Sequence, residues 1–231
     1  MKRLTLLMIM LVLGAGFAHA QTYETLNIIG YLYESVNAPG TPGFPPSDAG
    51  DVLAGLGFVD GFSYSPFFPT ADYEYTWVLS GLVSGGAVDQ GGGMIQISYT
   101  GGTLDLIADE IAAGGYTPAF YGVNPPEPGA VASFSDGEVY LYGTLVNFVM
   151  TYNTNTGAGD YQGQVIFELG PNVGSADEEL AYPLGLTIAG VIAADSTIPE
   201  GYDLEADGHI FHDPTVPNED MTFSHVKQLF R

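Results

Sequence analysis

The chain has no cysteine. That excludes disulfides, thiol catalysis, iron–sulfur clusters, cysteine-ligated zinc and a lipidated-cysteine anchor. Basic residues are almost as scarce: four Lys and Arg stand against 27 Asp and Glu. Phosphate binding needs Lys and Arg, so nucleic acid and anionic lipid surfaces are excluded as natural partners. Neutral partners, cationic partners and divalent cations stay open. Long apolar runs are also missing. The longest, Leu4–Phe17, spans 14 residues, short of the roughly 20 that a membrane-crossing helix needs. No membrane span is expected.

The four basic residues are Lys2, Arg3, Lys227 and Arg231. Lys2-Arg3, the apolar run and then Ala18-His19-Ala20 form a secretory signal with a small-x-small cleavage site. Cleavage after Ala20 would leave two basic residues against 27 acids, a formal charge of −25. The expectation is residues 1–20 as signal peptide, 21–231 as a single all-β domain, and a secreted or cell-surface location. Charged residues are 13% of the chain, against about 25% in ordinary domains. The acid content is therefore ordinary, and the anomaly is the loss of the basic half.

Aromatic and β-branched segments alternate with turns built from Gly, Pro, Asn and Asp. Strands are predicted at Glu24–Glu34, Val52–Tyr64, Tyr73–Val83, Met94–Tyr99, Thr103–Ala108, Val139–Tyr152, Tyr161–Leu169, Leu184–Ala193 and Asp203–Phe211. Val139–Tyr152 is long for one strand, and Gly143 should bend it or mark a bulge. Val36–Ser47 and Thr117–Gly129, each with four prolines, read as loops. Helix is limited to a turn at Asp109–Ala113 and a short C-terminal segment starting at Asn218, with an edge strand as the alternative there. Many short strands with turns between them imply an antiparallel β-sandwich, jelly-roll-like, of about nine strands, with a β-barrel as the alternative.

Asp203-Leu204-Glu205-Ala206-Asp207-Gly208-His209-Ile210 follows a calcium-loop spacing. Oxygen ligands fall at alternate positions, Gly sits at the sixth and an apolar residue at the eighth. The match departs at the third position, which is Glu, and at the twelfth, which is Pro214 beside Asp213. Asp203, Glu205, Asp207, His209 and Asp213 are the candidate metal ligands, with calcium as the possible cofactor. The alternative is a strand whose carboxylates share one wet face. His209 and His212 are three apart, which on a strand puts them on opposite faces.

Tyr73, Tyr75 and Trp77 fall on one face of a predicted strand. Such a stripe serves either as a flat platform for sugar rings or as core packing against a second layer. Tyr31 with Tyr33, and Tyr140 with Tyr142, also fall on shared faces. Paired carboxylates such as those of a glycosidase arise by chance among so many acids; Asp109-Glu110 and Asp177-Glu178-Glu179 sit in turn-like regions. Neither a Gly-x-Ser-x-Gly elbow nor a phosphate-cradling Gly-rich loop with its Lys is present.

The segments Gly50-Asp51-Val52-Leu53-Ala54-Gly55-Leu56-Gly57-Phe58-Val59, Tyr75-Thr76-Trp77-Val78-Leu79-Ser80-Gly81-Leu82, Gly101-Gly102-Thr103-Leu104 and Phe134-Ser135-Asp136-Gly137 resemble a group of uncharacterised secreted bacterial proteins. Some members carry a C-terminal Pro-Glu-Pro-type sorting tail. Here Pro126-Glu127-Pro128 is internal and no membrane span follows it. The resemblance covers about Asp48 to Leu169 and implies an exported all-β protein of a bacterial envelope or matrix, with no catalytic residue. The expected function is a non-enzymatic surface protein in adhesion, matrix or envelope interaction, with carbohydrate or other surface proteins as partners. The alternatives are a calcium-dependent carbohydrate-binding module and a polysaccharide hydrolase using paired carboxylates.

Overall fold

The computed structural model describes residues 23–35, 44–63, 65–122, 128–171, 173, 185–194 and 197–212. The signal segment, Asp177–Glu179, Asp213 and the C-terminal helix candidate lie outside the described residues. Eight strands follow one another: β1 (Tyr23–Ser35), β2 (Ala49–Phe62), β3 (Tyr73–Gly91), β4 (Met94–Glu110), β5 (Glu138–Asn153), β6 (Ala158–Leu169), β7 (Leu186–Ala193) and β8 (Leu204–His212). One short helix, α1 (Pro128–Ser133), stands between β4 and β5.

The strands pair in sequence order into a closed antiparallel barrel, not the sandwich that was the first expectation. Alternation along a strand tells which residues are buried but not whether the sheet meets a second sheet or itself; closure removes every edge. At the seam, the Asp203 amide donates to the Leu32 carbonyl at 2.9 Å and Thr25 Oγ1 donates to the Ile210 carbonyl.

Strand number also differs. Met94–Tyr99 and Thr103–Ala108 are one strand, β4, because Gly101-Gly102 does not end the pairing. Leu82 faces Gly101 and Ser80 faces Thr103 across it. Gly81, Gly101 and Gly102 take φ of 72°, 71° and 86°, where side chains are strained. They let the two longest strands bend without parting. In β5 the register shifts at two places, neither at Gly143: between Val146 and Val149 against β6, where Asn147 takes a φ of 55°, and near Tyr140 against β4. Leu141 pairs with Leu106 and Val139 with Ile107, so Tyr140 is an extra residue. This bulge turns both Tyr140 and Leu141 inward and leaves Tyr142 exposed, so Tyr140 and Tyr142 do not share a face. The helical turn expected at Asp109–Ala113 is absent: Asp109 and Glu110 complete β4, and the chain reverses in a turn closed by the Ala113 amide on the Glu110 carbonyl at 3.0 Å.

Inward positions are mostly apolar, with Glu34, Asp51 and Ser84 as buried polar exceptions at one end. Tyr161, Val165 and Phe167 of β6, and Leu204, Ala206 and Ile210 of β8, are buried. Gln162, Gln164, Glu168, Glu205 and Asp207 face outward and are exposed. Ile166 and Val191 are exposed apolar side chains on the same outer surface. No helix among the described residues is long and apolar enough to cross a membrane.

Trp77 occupies the barrel interior at 2% exposure. Its ring fits because the facing positions on β1 and β2 are glycines. A Cβ on Gly30 or Gly57 would come within 2.5 and 2.4 Å of the indole. The indole N–H donates to the Ile29 carbonyl at 3.0 Å. Outside the wall, a second apolar cluster of Leu56, Ala130, Phe134 and Tyr202 packs with Tyr31, Tyr33, Phe58 and Tyr121. It forms because the long β4–β5 connection folds back over β1–β3. Thr76 Oγ1 holds the Phe134 carbonyl at 2.8 Å, and Glu74 Oε1 accepts the Ala119 amide at 2.9 Å.

Candidate functional site

The β2–β3 connection rises over one end of the barrel and leaves a cleft of about 570 Å³. Strand β2 contributes Phe58, Asp60 and Phe62, the connection Ser65 and Thr70, and β3 Tyr73, Glu74 and Tyr75. The rings brace one another. Tyr73 stacks on Phe68 at 4.7 Å, and Phe62 meets Tyr75 edge-on at 4.7 Å. Tyr75 O–H donates to the Phe68 carbonyl at 2.7 Å, fixing the connection over the rim. The wall carries ring surface beside the hydroxyls of Ser65 and Thr70 and the carboxylates of Asp60 and Glu74, the mix of apolar and polar groups that small-molecule sites use.

The opposite end, where β1 passes to β2, is polar and closed. Glu34 extends the inward series Leu26, Ile28, Leu32 of β1 and is 8% exposed. Its Oε1 accepts from Ser47 Oγ at 2.6 Å and from Tyr99 O–H at 3.2 Å. Ser47 in turn lies 2.6 Å from Ser84 Oγ. With the single Ser47 proton directed to Glu34, Ser84 is the donor in that pair. Oε2 of Glu34 is buried without a hydrogen-bond partner. Asp203 Oδ2 accepts the Glu34 amide at 2.8 Å, and Asp51, 1% exposed, accepts the Asp48 amide at 3.0 Å.

Burial raises the Glu34 carboxyl from 4.5 to about 7, with the Ser47 and Tyr99 bonds opposing and the Asp51 and Asp203 charges adding to the rise. Burial likewise raises Asp203 and pushes the Tyr99 phenol far up. All four Lys and Arg lie outside residues 24–212, so no Lys or Arg of the barrel stands beside these carboxyls.

The sequence-derived metal ligands are placed differently from a calcium loop. Leu204–His212 is a regular strand, paired with β7 from Ala193↔Glu205 to Thr187↔Phe211. Extended backbone carries Glu205, Asp207 and His209 along one outer face instead of curling them about a centre. Asp203 precedes them and is engaged with the Glu34 amide. His209 Nδ1 lies 2.6 Å from Asn27 Oδ1 and 3.3 Å from Glu24 Oε2. Among the described residues no group of His, Asp and Glu is placed to hold a metal ion; Asp213 is outside them. Leu204–His212 is therefore a strand and not a curled loop.

The aromatic stripe is divided. Tyr73 is half-buried on the cleft wall. Tyr75 also borders the cleft but is 5% exposed, its ring packed on Phe62 and Tyr140. Trp77 lies deeper, its indole held against Gly30 and Gly57. Phe58, Asp60 and Glu74 were not singled out from the sequence, nor were Glu34 and Asp51. A signal for the last two existed. Each acid falls on the inward phase of its strand, Glu34 after Leu32 and Asp51 before Leu53.

No family model, curated protein or solved structure matches the chain.

Proposed function

We propose that this is a non-enzymatic, exported binding barrel that engages neutral carbohydrate of a matrix or envelope at the β2–β3 rim. The single supporting observation is the cleft itself, where Phe58, Phe62, Tyr73 and Tyr75 stand beside Asp60 and Glu74. Aromatic faces pack against the C–H faces of sugar rings, and the carboxylates and hydroxyls accept and donate to sugar hydroxyls. A barrel without Lys or Arg in residues 24–212 repels polyanionic glycans, so neutral or amino-bearing chains are the preferred class. The signal segment and the resemblance to secreted all-β proteins set the same extracellular context.

The rival reading is a polysaccharide hydrolase. Asp60 and Glu74 are the carboxylates it would use, since both line the cleft. One of them, Glu74, already accepts the Ala119 amide, which suits a positioned acceptor better than a proton donor. Calorimetric titration of the full chain with neutral oligosaccharides tests both readings. Saturable binding without product formation, weakened about tenfold by Tyr73→Ala, supports the binding barrel. Sugar release abolished by Asp60→Asn would replace it with the hydrolase. Absence of binding across neutral and amino sugars overturns the proposal.

A further inference from the structure

The polar end of the barrel joins segments that are distant in sequence. Glu34 ends β1, Ser47 lies in the β1–β2 connection, Ser84 is on β3, Tyr99 on β4, and Asp203 immediately precedes β8. Ser47 is the hub. Its hydroxyl binds Glu34 Oε1 at 2.6 Å and contacts Ser84 Oγ at 2.6 Å, and its carbonyl accepts the Ala87 amide at 2.8 Å. Phe44, three residues earlier, is buried against Tyr152 with ring centroids 4.8 Å apart. The Phe44–Asp48 segment is therefore fastened to the barrel by a ring contact, a backbone bond and a hydroxyl pair, and the Glu34 carboxyl is the one titratable member of that set.

That carboxyl is poorly prepared to carry charge. Both hydroxyl donors reach Oε1, and Oε2 is buried without a partner. The titratable groups facing Glu34 are Asp51 from β2, Asp203 from the segment before β8 and Tyr99 from β4. Tyr152 of β5 lies near Asp203. Two of these are acids, the phenols are neutral near pH 7, and no Lys or Arg exists within residues 24–212 to compensate. A proton on Glu34 neutralises the carboxyl where it lies, without any further group.

We propose that Glu34 is the proton-binding centre of a pH-sensitive latch, which fastens the Phe44–Asp48 segment ahead of β2 to β3, β4 and the start of β8 when protonated and loosens it when ionised. The raised carboxyl, at about 7, places the change near neutrality. Ionisation puts a charge on a buried carboxyl that faces two further acids and has one oxygen without a partner, where an unpaired carboxylate is strongly disfavoured. The Ser47 bond is then exchanged for hydration, which loosens the Phe44–Asp48 segment from the barrel. The rim cleft lies at the other end of β2 and is not part of the latch, so the inference is independent of what the cleft binds.

The test uses the full chain and carbon-13 NMR of side-chain carboxyls. Glu34 is expected to titrate with a midpoint between pH 6 and 8, about two pH units above an ordinary glutamate; a midpoint below 5 overturns the latch. Amide hydrogen exchange, corrected for intrinsic rates, supplies a second readout. The Ala87 and Glu34 amides should lose about tenfold of their protection between pH 5.5 and 8.5, while Ile111, bonded to the Asp72 carbonyl at the cleft end, keeps its own. Glu34→Gln, neutral at every pH, should abolish that loss. Equal loss at both ends, or loss that persists in the Gln variant, contradicts the proposal. If the Gln variant does not fold, the wild-type titration midpoint decides alone.

Discussion

The two ends of β2 solve the same problem in opposite ways. Both must close the mouth of a barrel whose middle is filled by Trp77. At the Phe58–Phe62 end, rings cover the rim and leave an open cleft. At the Asp51 end, the cover is a hydrogen-bonded acid network with Glu34, Ser47 and Ser84 all buried. Apolar closure tolerates a gap, because a missing ring contact loses only part of its packing energy. Polar closure does not, because each buried oxygen needs a donor. The ring-covered end is accordingly where a ligand can enter, and the acid end is where a change of one proton is felt.

Variants can break this contrast or sharpen it. The largest expected effect removes what the two ends share. Trp77→Ala empties the centre of the barrel and should cost about 3–5 kcal/mol in denaturant unfolding, with hydrogen-exchange protection lost at both ends together. Gly57→Ala attacks the same contact from the other side, since its Cβ would lie 2.4 Å from the indole. Overpacking of this kind costs about 1–3 kcal/mol or more.

The acid end alone should respond to pH. Glu34 is raised in the fold from 4.5 to about 7, so the fold favours its protonated form. That stabilisation is complete below pH 4.5 and is lost as pH rises through about 7. Wild-type stability should fall by on the order of 1–3 kcal/mol between pH 5 and 8.5. Thermal melts of Glu34→Gln, which also leave the histidines in place, should lack that part of the decline. The cleft end should respond to ring loss. Tyr73→Ala gives up its stack on Phe68, about 0.5–1.5 kcal/mol, a smaller effect on stability than on ligand affinity. The smallest effect belongs to the outer face of β8. Glu205→Gln with Asp207→Asn should change stability by no more than about 0.5 kcal/mol, and neither calcium nor chelator should move the melting temperature of the wild type.

Alternation made the strands readable because one face of each is dry. Tyr73, Tyr75, Trp77 and Leu79 declare a common face, and the structure turns that face inward. Closure was not readable. A sandwich and a barrel impose the same period of two, and what separates them is whether β8 returns to β1, a contact of residues about 170 apart such as Asp203 with Glu34. Gly101-Gly102 read as a strand break because glycine serves turns and bends alike. The α1 helix has only six residues and depends on packing of Ala130 and Phe134, which no local pattern announces. At the candidate site, Tyr73 and Tyr75 were visible as aromatics in phase. Asp60 and Glu74 were not, because acids on an outer face carry no distinguishing signal. Glu34 was the missed opportunity, an acid standing where the pattern asks for an apolar side chain.

The most direct measurement is amide chemical-shift mapping of the full chain during titration with a neutral oligosaccharide. Saturable shifts should concentrate at Phe58–Phe62 and Tyr73–Tyr75, fade toward Trp77 and leave Ser47, Ser84 and Tyr99 unmoved. Shifts centred on the Glu205–His209 face or on the Glu34 end, or none at saturating sugar, would contradict the assignment of the rim cleft as the binding site.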